Sequence, residues 1–144
     1  EFIHESPTNF HAVANAKKEL LGNGYKQLFS GEAWQIEKGG KYFVTKNHSS
    51  LFAFEIGSGE IAEEGFKIIC AHSDSPTFKI KPNAAMPVAG KYLKLNTEVY
   101  GGPIMYTWFD RPLSMAGRDM LRSLNPLKPA TQAEGYASRD CHDK

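Results

Sequence analysis

The chain has 144 residues, with 41% hydrophobic and 23% charged residues and a formal net charge of +1. That composition suits a soluble globular domain rather than a disordered chain, and near-neutral charge with scattered Lys and Arg argues against a nucleic-acid-binding surface. Two cysteines, Cys70 and Cys141, make no disulfide framework. The opening residues lack a basic start followed by a long apolar stretch, so no leader pattern is read there. No apolar run approaches the ~20 residues that cross a bilayer, and a soluble, cytoplasmic setting without membrane or nucleic-acid partners is expected.

Ser6-Pro7 reads as a helix entrance, Ser6 offering a cap and Pro7 suiting a first helical position because it lacks an N–H. Phe10, Val13, Ala14, Leu20 and Leu21 follow near helical spacing. Gly22 and Gly24 stop the run. One helix from about Thr8 to Leu21 is expected.

The period then changes. Lys41–Lys46 and Ser50–Ile56 are rich in aromatic and β-branched residues and flank the turn-like Asn47-His48-Ser49, which predicts a β-hairpin. Phe66–Ala71 is a short apolar run and predicts a buried strand. Phe78–Lys81 alternates and is expected to stop at Pro82; Lys91–Tyr100 alternates again and halts at Gly101-Gly102-Pro103. The aromatic run Tyr106–Phe109 lacks a basic groove beside it, so packing in a core or between domains is a better reading than base stacking. Met120, Leu121, Leu124 and Leu127 could share one short helical face. Pro126 and Pro129 break longer elements, and residues 119–144 read as a divergent, poorly ordered tail.

The chemistry concentrates at Ala71-His72-Ser73-Asp74-Ser75-Pro76, placed where the Phe66–Ala71 strand should end. Ligand sites of open α/β sheets gather at that end of the strands. A neutral imidazole is a common zinc ligand through one ring nitrogen. A nearby carboxylate can accept the other ring N–H and fix tautomer and orientation. His-x-Asp alone is a weak signal, equally compatible with a solvated turn. Other groups carry less. His11 reads as structural, His48 as a surface turn residue, Glu63-Glu64 as a solvated loop, and Cys141-His142-Asp143 as adjacency without fold-made geometry.

The blocks Ser6-Pro7-Thr8-Asn9-Phe10-His11-Ala12-Val13, Ala71–Pro76 with Lys79, Lys81 and Pro82, Glu98-Val99-Tyr100-Gly101-Gly102, Thr107–Leu113 and Ala116-Gly117-Arg118 stand in the order of the aspartyl aminopeptidase family. Residues 5 to 118 resemble its N-terminal portion. The resemblance implies an α/β zinc-exopeptidase catalytic domain with a β-rich dimerisation domain inserted in it. On that pattern residues 1–100 belong to the catalytic domain, 101–118 begin the dimerisation domain, and 119–144 diverge. It also implies a two-metal zinc site that releases N-terminal, often acidic, residues from peptides, and a homo-oligomeric parent. By match to the motif, His72 is a metal ligand and Asp74 the catalytic-site carboxylate that orients it. The remaining ligands and the general base belong to segments this chain does not contain. The chain alone is therefore expected to be inactive, as a fragment, a truncated product or a frame-altered one. The alternative is a non-catalytic chain or interaction module without a complete metal site.

Overall fold

A computed structural model of the chain describes residues 2–119 and 135–140. The elements run α1 (Asn9–Gly22), β1 (Lys26–Leu28), β2 (Lys41–Lys46), β3 (Ser50–Glu55), a one-turn helix α2 (Ile61–Glu64), β4 (Thr77–Val88), β5 (Tyr92–Tyr100), a 3-10 turn (Met105–Trp108), β6 (Ser114–Asp119) and β7 (Gly135–Asp140). The chain is mixed α/β, as expected. Its contacts divide it into two compact units, Glu1–Asp74 with Met115–Arg139 and Ser75–Ser114 with Asp140–Lys144.

In the first unit the helix is capped two residues later than the Ser6 reading. Thr8 is the N-cap, its hydroxyl accepting the His11 N–H, while Ser6 accepts a bond from Asn15 Nδ2 at 3.1 Å. Ser6 and Asn15 thus tie the incoming chain to the helix rather than cap it. The exit is closed by Asn23, whose backbone N–H and side-chain amide both reach the Glu19 carbonyl, at 3.0 and 2.8 Å.

The sheet order is β1-β2-β3. β1 runs parallel to β2, and β2 pairs antiparallel with β3, with Tyr42 opposite Phe54 and Phe43 opposite Ala53. The hairpin between them turns through Asn47 and His48, at φ of 52° and 55°, and is closed by Ser49 N–H to the Lys46 carbonyl at 3.2 Å. Positive φ at both central positions is the mirror-image turn whose twist matches that of paired strands, and Asn and His tolerate it better than most residues. His48, read as a surface residue, is half-buried there.

Alternation along β2 sends Tyr42 and Phe43 to opposite faces, yet both are buried, at 2% and 0% exposure. On the Tyr42 face lie Phe52, Phe54 and Trp34, with ring centroids 5.5 to 6.3 Å apart. On the Phe43 face α1 packs against β3, bringing in Val13, the other buried apolar residue among those described. Burying Phe43, Tyr42 and Val13 is worth on the order of 2 kcal/mol each in water-transfer terms, so β2 is the keel of this unit.

One expectation fails here. Residues 65–76 form no strand, and the Phe66–Ala71 run is exposed, with Phe66 at 78%, Ile68 at 74% and Ile69 at 98%. A strand exists only with a hydrogen-bonded neighbour, and β1, β2 and β3 pair with one another instead.

The second unit is built on the β4–β5 hairpin. Its turn, Ala89-Gly90, has φ of 52° and 65° and is closed by Lys91 N–H to the Val88 carbonyl at 3.2 Å. β4 does not stop at Pro82. Pairing jumps from Ile80 opposite Thr97 to Ala85 opposite Leu95, so the residues between bulge out. A bulge is where a strand tolerates proline, which has no N–H for the ladder. The Trp108 ring sits edge-on to Phe78 at 5.3 Å and 88°, with Phe109 6.5 Å from the same ring, so part of the Tyr106–Phe109 run packs, while Tyr106 stays 80% exposed. β6 and β7 form a two-stranded sheet, so Asp119 and Gly135–Asp140 of the expected loose tail are strand. The Met120–Leu127 helical face and the Cys141-His142-Asp143 triplet lie outside the described residues. Among the described residues no helix is long and apolar enough to cross a membrane.

Candidate metal-ligand segment

The His72–Asp74 segment leaves the unpaired run as an open, exposed loop. Its local tie to the sheet is a long hydrogen bond, Ser73 Oγ donating to the Ser49 carbonyl at 3.4 Å, at the end of the β2–β3 turn. The same turn is held from another direction by Arg118, whose guanidinium donates to the Asn47 carbonyl at 3.1 Å and lies 4.4 Å from the Phe10 ring centroid.

The His72 ring is 83% exposed. Its Nδ1 lies 2.9 Å from the backbone carbonyl oxygen of Asp74 and 3.2 Å from Asp74 Oδ1. Both neighbours are acceptors when the carboxylate is ionised, so Nδ1 carries the proton and donates. In the neutral ring Nε2 then keeps its lone pair, directed away from that bond. This is the tautomer a metal needs from an imidazole whose other nitrogen is held by an oxygen acceptor. Asp74 is half-buried, the less exposed of the pair, which suits a carboxylate that fixes a neighbour.

The donor set fits one corner of a zinc site and no more. Structural and catalytic zinc take three or four protein ligands, and among the described residues no group of three or more His, Cys, Asp or Glu side chains could hold a metal ion. His11 is elsewhere, in the first turn of α1. Its Nδ1 is 2.8 Å from Thr8 Oγ1, and burial pushes its pKa below the ordinary 6.5. Glu63 and Glu64 are exposed on the α2 turn.

Sequence reasoning missed one polar cluster. Glu55, at the end of β3, accepts from the Tyr25 hydroxyl at 2.5 Å and pairs with Lys41 Nζ at 3.1 Å. The two hydrogen bonds, Tyr25 first, hold the Glu55 carboxyl below its ordinary range, and the Glu55 bond pushes both the Tyr25 phenol and the Lys41 ammonium up. Tyr25 and Lys41 also line an open, mainly apolar groove of about 550 Å³ with Phe2, Leu20, Leu51 and Ala53. Only the pairing register of β2 and β3, which sets Lys41 opposite Glu55, would have revealed it.

The geometry thus defines a mixed α/β fold with one exposed imidazole held by a neighbouring aspartate. The model of the aminopeptidase I zinc metalloprotease family, M18, matches residues 2–132. The chain belongs to that family. It is 57% identical over 132 residues to a probable M18 family aminopeptidase 2 of Clostridium novyi (strain NT), covering 92% of this chain and 30% of that one. It is 45% identical over 121 residues to a probable aspartyl aminopeptidase of Ricinus communis, covering 84% and 24%. Among solved structures it is similar to that of an S. cerevesiae mApe1 dodecamer, with a TM-score of 0.72 and 33% identity over 81% of this chain and 27% of that one. The chain therefore spans about three-tenths or less of the length of these relatives. The match runs past Arg118, where the sequence blocks fade, into the part read as divergent.

Proposed function

We propose that this chain is the part of a zinc aminopeptidase that carries the first metal ligand, His72, oriented by Asp74, and that the parent enzyme releases N-terminal residues, acidic ones in particular, from peptides. The observation that carries the reading is the His72 Nδ1 bond to Asp74, which leaves Nε2 available. Family membership supplies the zinc, and the aspartyl aminopeptidase name of the Ricinus relative supports the acidic preference. The dodecameric neighbour supports a homo-oligomeric parent, and a cytoplasmic setting belongs to the same reading. So does the allocation of 1–100 to the catalytic domain, 101–118 to the start of the dimerisation domain and 119–144 to a divergent tail.

Zinc, when bound by a complete ligand set, polarises the scissile carbonyl and supplies a nucleophile at neutral pH. What this chain's residues do is narrower. Asp74 accepts the Nδ1 proton through its carboxylate and its own carbonyl, and so holds the ring against rotation. His72 thereby presents a neutral Nε2 to one ligand position. The two-metal arrangement, with the other ligands and the general base supplied from beyond these residues, is part of the proposal.

With one imidazole among the described residues where three or four donors are needed, the chain alone is expected to bind zinc weakly and to hydrolyse no peptide. Zinc titration followed by native mass measurement tests this. Weak uptake that His72→Ala reduces further agrees with the reading. Tight stoichiometric binding indifferent to His72→Ala, or zinc-dependent release of an N-terminal Asp by the chain alone, contradicts it. The second reading, a non-catalytic interaction module, is favoured by the exposure of Phe66–Ala71.

A further inference from the structure

Three stretches far apart in the chain meet at the β2–β3 turn, all within the first compact unit. Phe10 comes from α1, Arg118 from β6, and Ser73 from between His72 and Asp74. The β2–β3 ladder ends at Lys46 opposite Ser50, so Asn47 and Ser49 stand outside it, and two side chains hold their carbonyls. Arg118 Nη1 donates to the Asn47 carbonyl at 3.1 Å across 71 residues of sequence, and Ser73 Oγ donates to the Ser49 carbonyl at 3.4 Å across 24. β6 pairs with β7 and not with β1–β3, so the side chain makes the reach to the turn. Arg118 is half-buried, and its guanidinium carbon stands 4.4 Å from the Phe10 ring centroid while an edge N–H donates to Asn47. A planar cation with N–H groups along its edge does both at once, whereas a lysine ammonium is a point charge without that fork.

We propose that Arg118 is a positioning residue for His72, acting through the turn and Ser73. The proposal rests on the reading of His72 as a metal ligand given above. Ser73 lies between the ring and the two acceptors that hold it, the Asp74 carbonyl and Oδ1. Rotation of the backbone at Ser73 therefore changes the distance from Nδ1 to both. The Ser73 hydroxyl opposes that rotation as long as the Ser49 carbonyl stays in reach. At 3.4 Å that bond is near the outer limit for a hydrogen bond, so a small outward shift of the turn breaks it. Arg118 fixes the turn against such a shift by tying the Asn47 carbonyl to the Phe10 ring at the start of α1. His72 is 83% exposed and has little packing of its own, so its aim depends on these anchors. The Ala116-Gly117-Arg118 block thus acquires a task at the same site as Ala71–Pro76.

The test reads the His72 ring itself. The whole chain, isotopically labelled in its histidine ring nitrogens, is recorded by NMR at about pH 8.5, above the ordinary histidine range, with His72→Ala assigning the signals. Wild type should show mainly the Nδ1–H tautomer, since the nitrogen held by an acceptor keeps the proton. Arg118→Ala should move the shifts toward the Nε2–H form that a freely exposed histidine favours. It should also lower zinc uptake in native mass titration by about threefold to tenfold, less than the about 10–100-fold of an outer carboxylate. Ser73→Ala should do the same, the double variant should do no more than either alone, and Arg118→Lys should recover part. Ser73 is exposed, so its variant folds and decides the matter where Arg118→Ala does not. Val13→Ala, at a buried core residue, controls for lost stability and should leave the tautomer unchanged. An unmoved tautomer in folded Arg118→Ala or in Ser73→Ala, additive effects of the two, or an equal shift in Val13→Ala would each overturn the proposal. A tautomer shift beside zinc uptake indifferent to His72→Ala sustains the positioning and contradicts the metal role of His72. Zinc uptake that needs His72 but ignores Arg118 and Ser73 does the reverse.

Discussion

The Nδ1 atom of His72 sits 2.9 Å from the Asp74 carbonyl oxygen and 3.2 Å from its Oδ1, two acceptors of which only one is a side chain. Asp74→Ala therefore removes half of the ring's restraint and keeps the other. Losing such an outer carboxylate usually lowers metal affinity by about 10–100-fold. In zinc titration of the chain we expect a weakening in that range, with Asp74→Asn falling between Ala and wild type because its amide oxygen still accepts.

Thr8 caps α1 with its hydroxyl. Thr8→Ala should destabilise the helix by about 1 kcal/mol, and Thr8→Ser should recover most of it. Amide exchange of the first turn of α1 is the direct readout. Ser6→Ala should leave that turn nearly unchanged, since Ser6 accepts from the Asn15 side chain instead.

Burial lowers the pKa of His11 below 6.5, so the folded form holds fewer protons there than the unfolded form. Stability must then rise with pH between the lowered value and 6.5, stay level above, and be reduced as pH falls through that window. Protonating Nδ1 would also oppose donation from Thr8 Oγ1, 2.8 Å away. His11→Gln should flatten the pH dependence of thermal unfolding just below 6.5, and a slope equal to wild type would count against burial as the cause.

Gly40 lies against the Tyr42 ring so closely that a methyl at its Cβ position would stand 2.4 Å from ring atoms. That ring is 2% exposed, and its hydroxyl accepts the Glu37 N–H at 3.1 Å. It cannot withdraw without breaking the aromatic cluster. Gly40→Ala should cost about 1–3 kcal/mol, the range for overpacking, measured by urea unfolding of the whole chain.

Local chemistry was legible in the sequence wherever both partners lay nearby. The helix from Thr8, the β2–β3 hairpin and the β5 strand follow from spacing and turn residues a few positions apart. Pro82 misled because a bulge is set by the partner strand, which the run Phe78–Lys81 does not reveal. Phe66–Ala71 misled for a deeper reason. Its side chains specify burial, but burial is a property of what covers them, and nothing among the described residues does. The candidate site divides the same way. His72 and Asp74 are two residues apart, so their pairing could be read as a pattern, whereas a metal site's remaining donors come from distant chain and leave no local trace.

The central claim is that His72 is a zinc ligand held by Asp74. The direct measurement is zinc titration of the chain read by native mass spectrometry, wild type against His72→Ala, with folding of both confirmed by circular dichroism. The claim predicts that the variant folds like wild type but takes up less zinc at the same free-zinc concentration, and that Asp74→Ala lies between them. Equal zinc uptake by the wild-type and His72→Ala chains would contradict it.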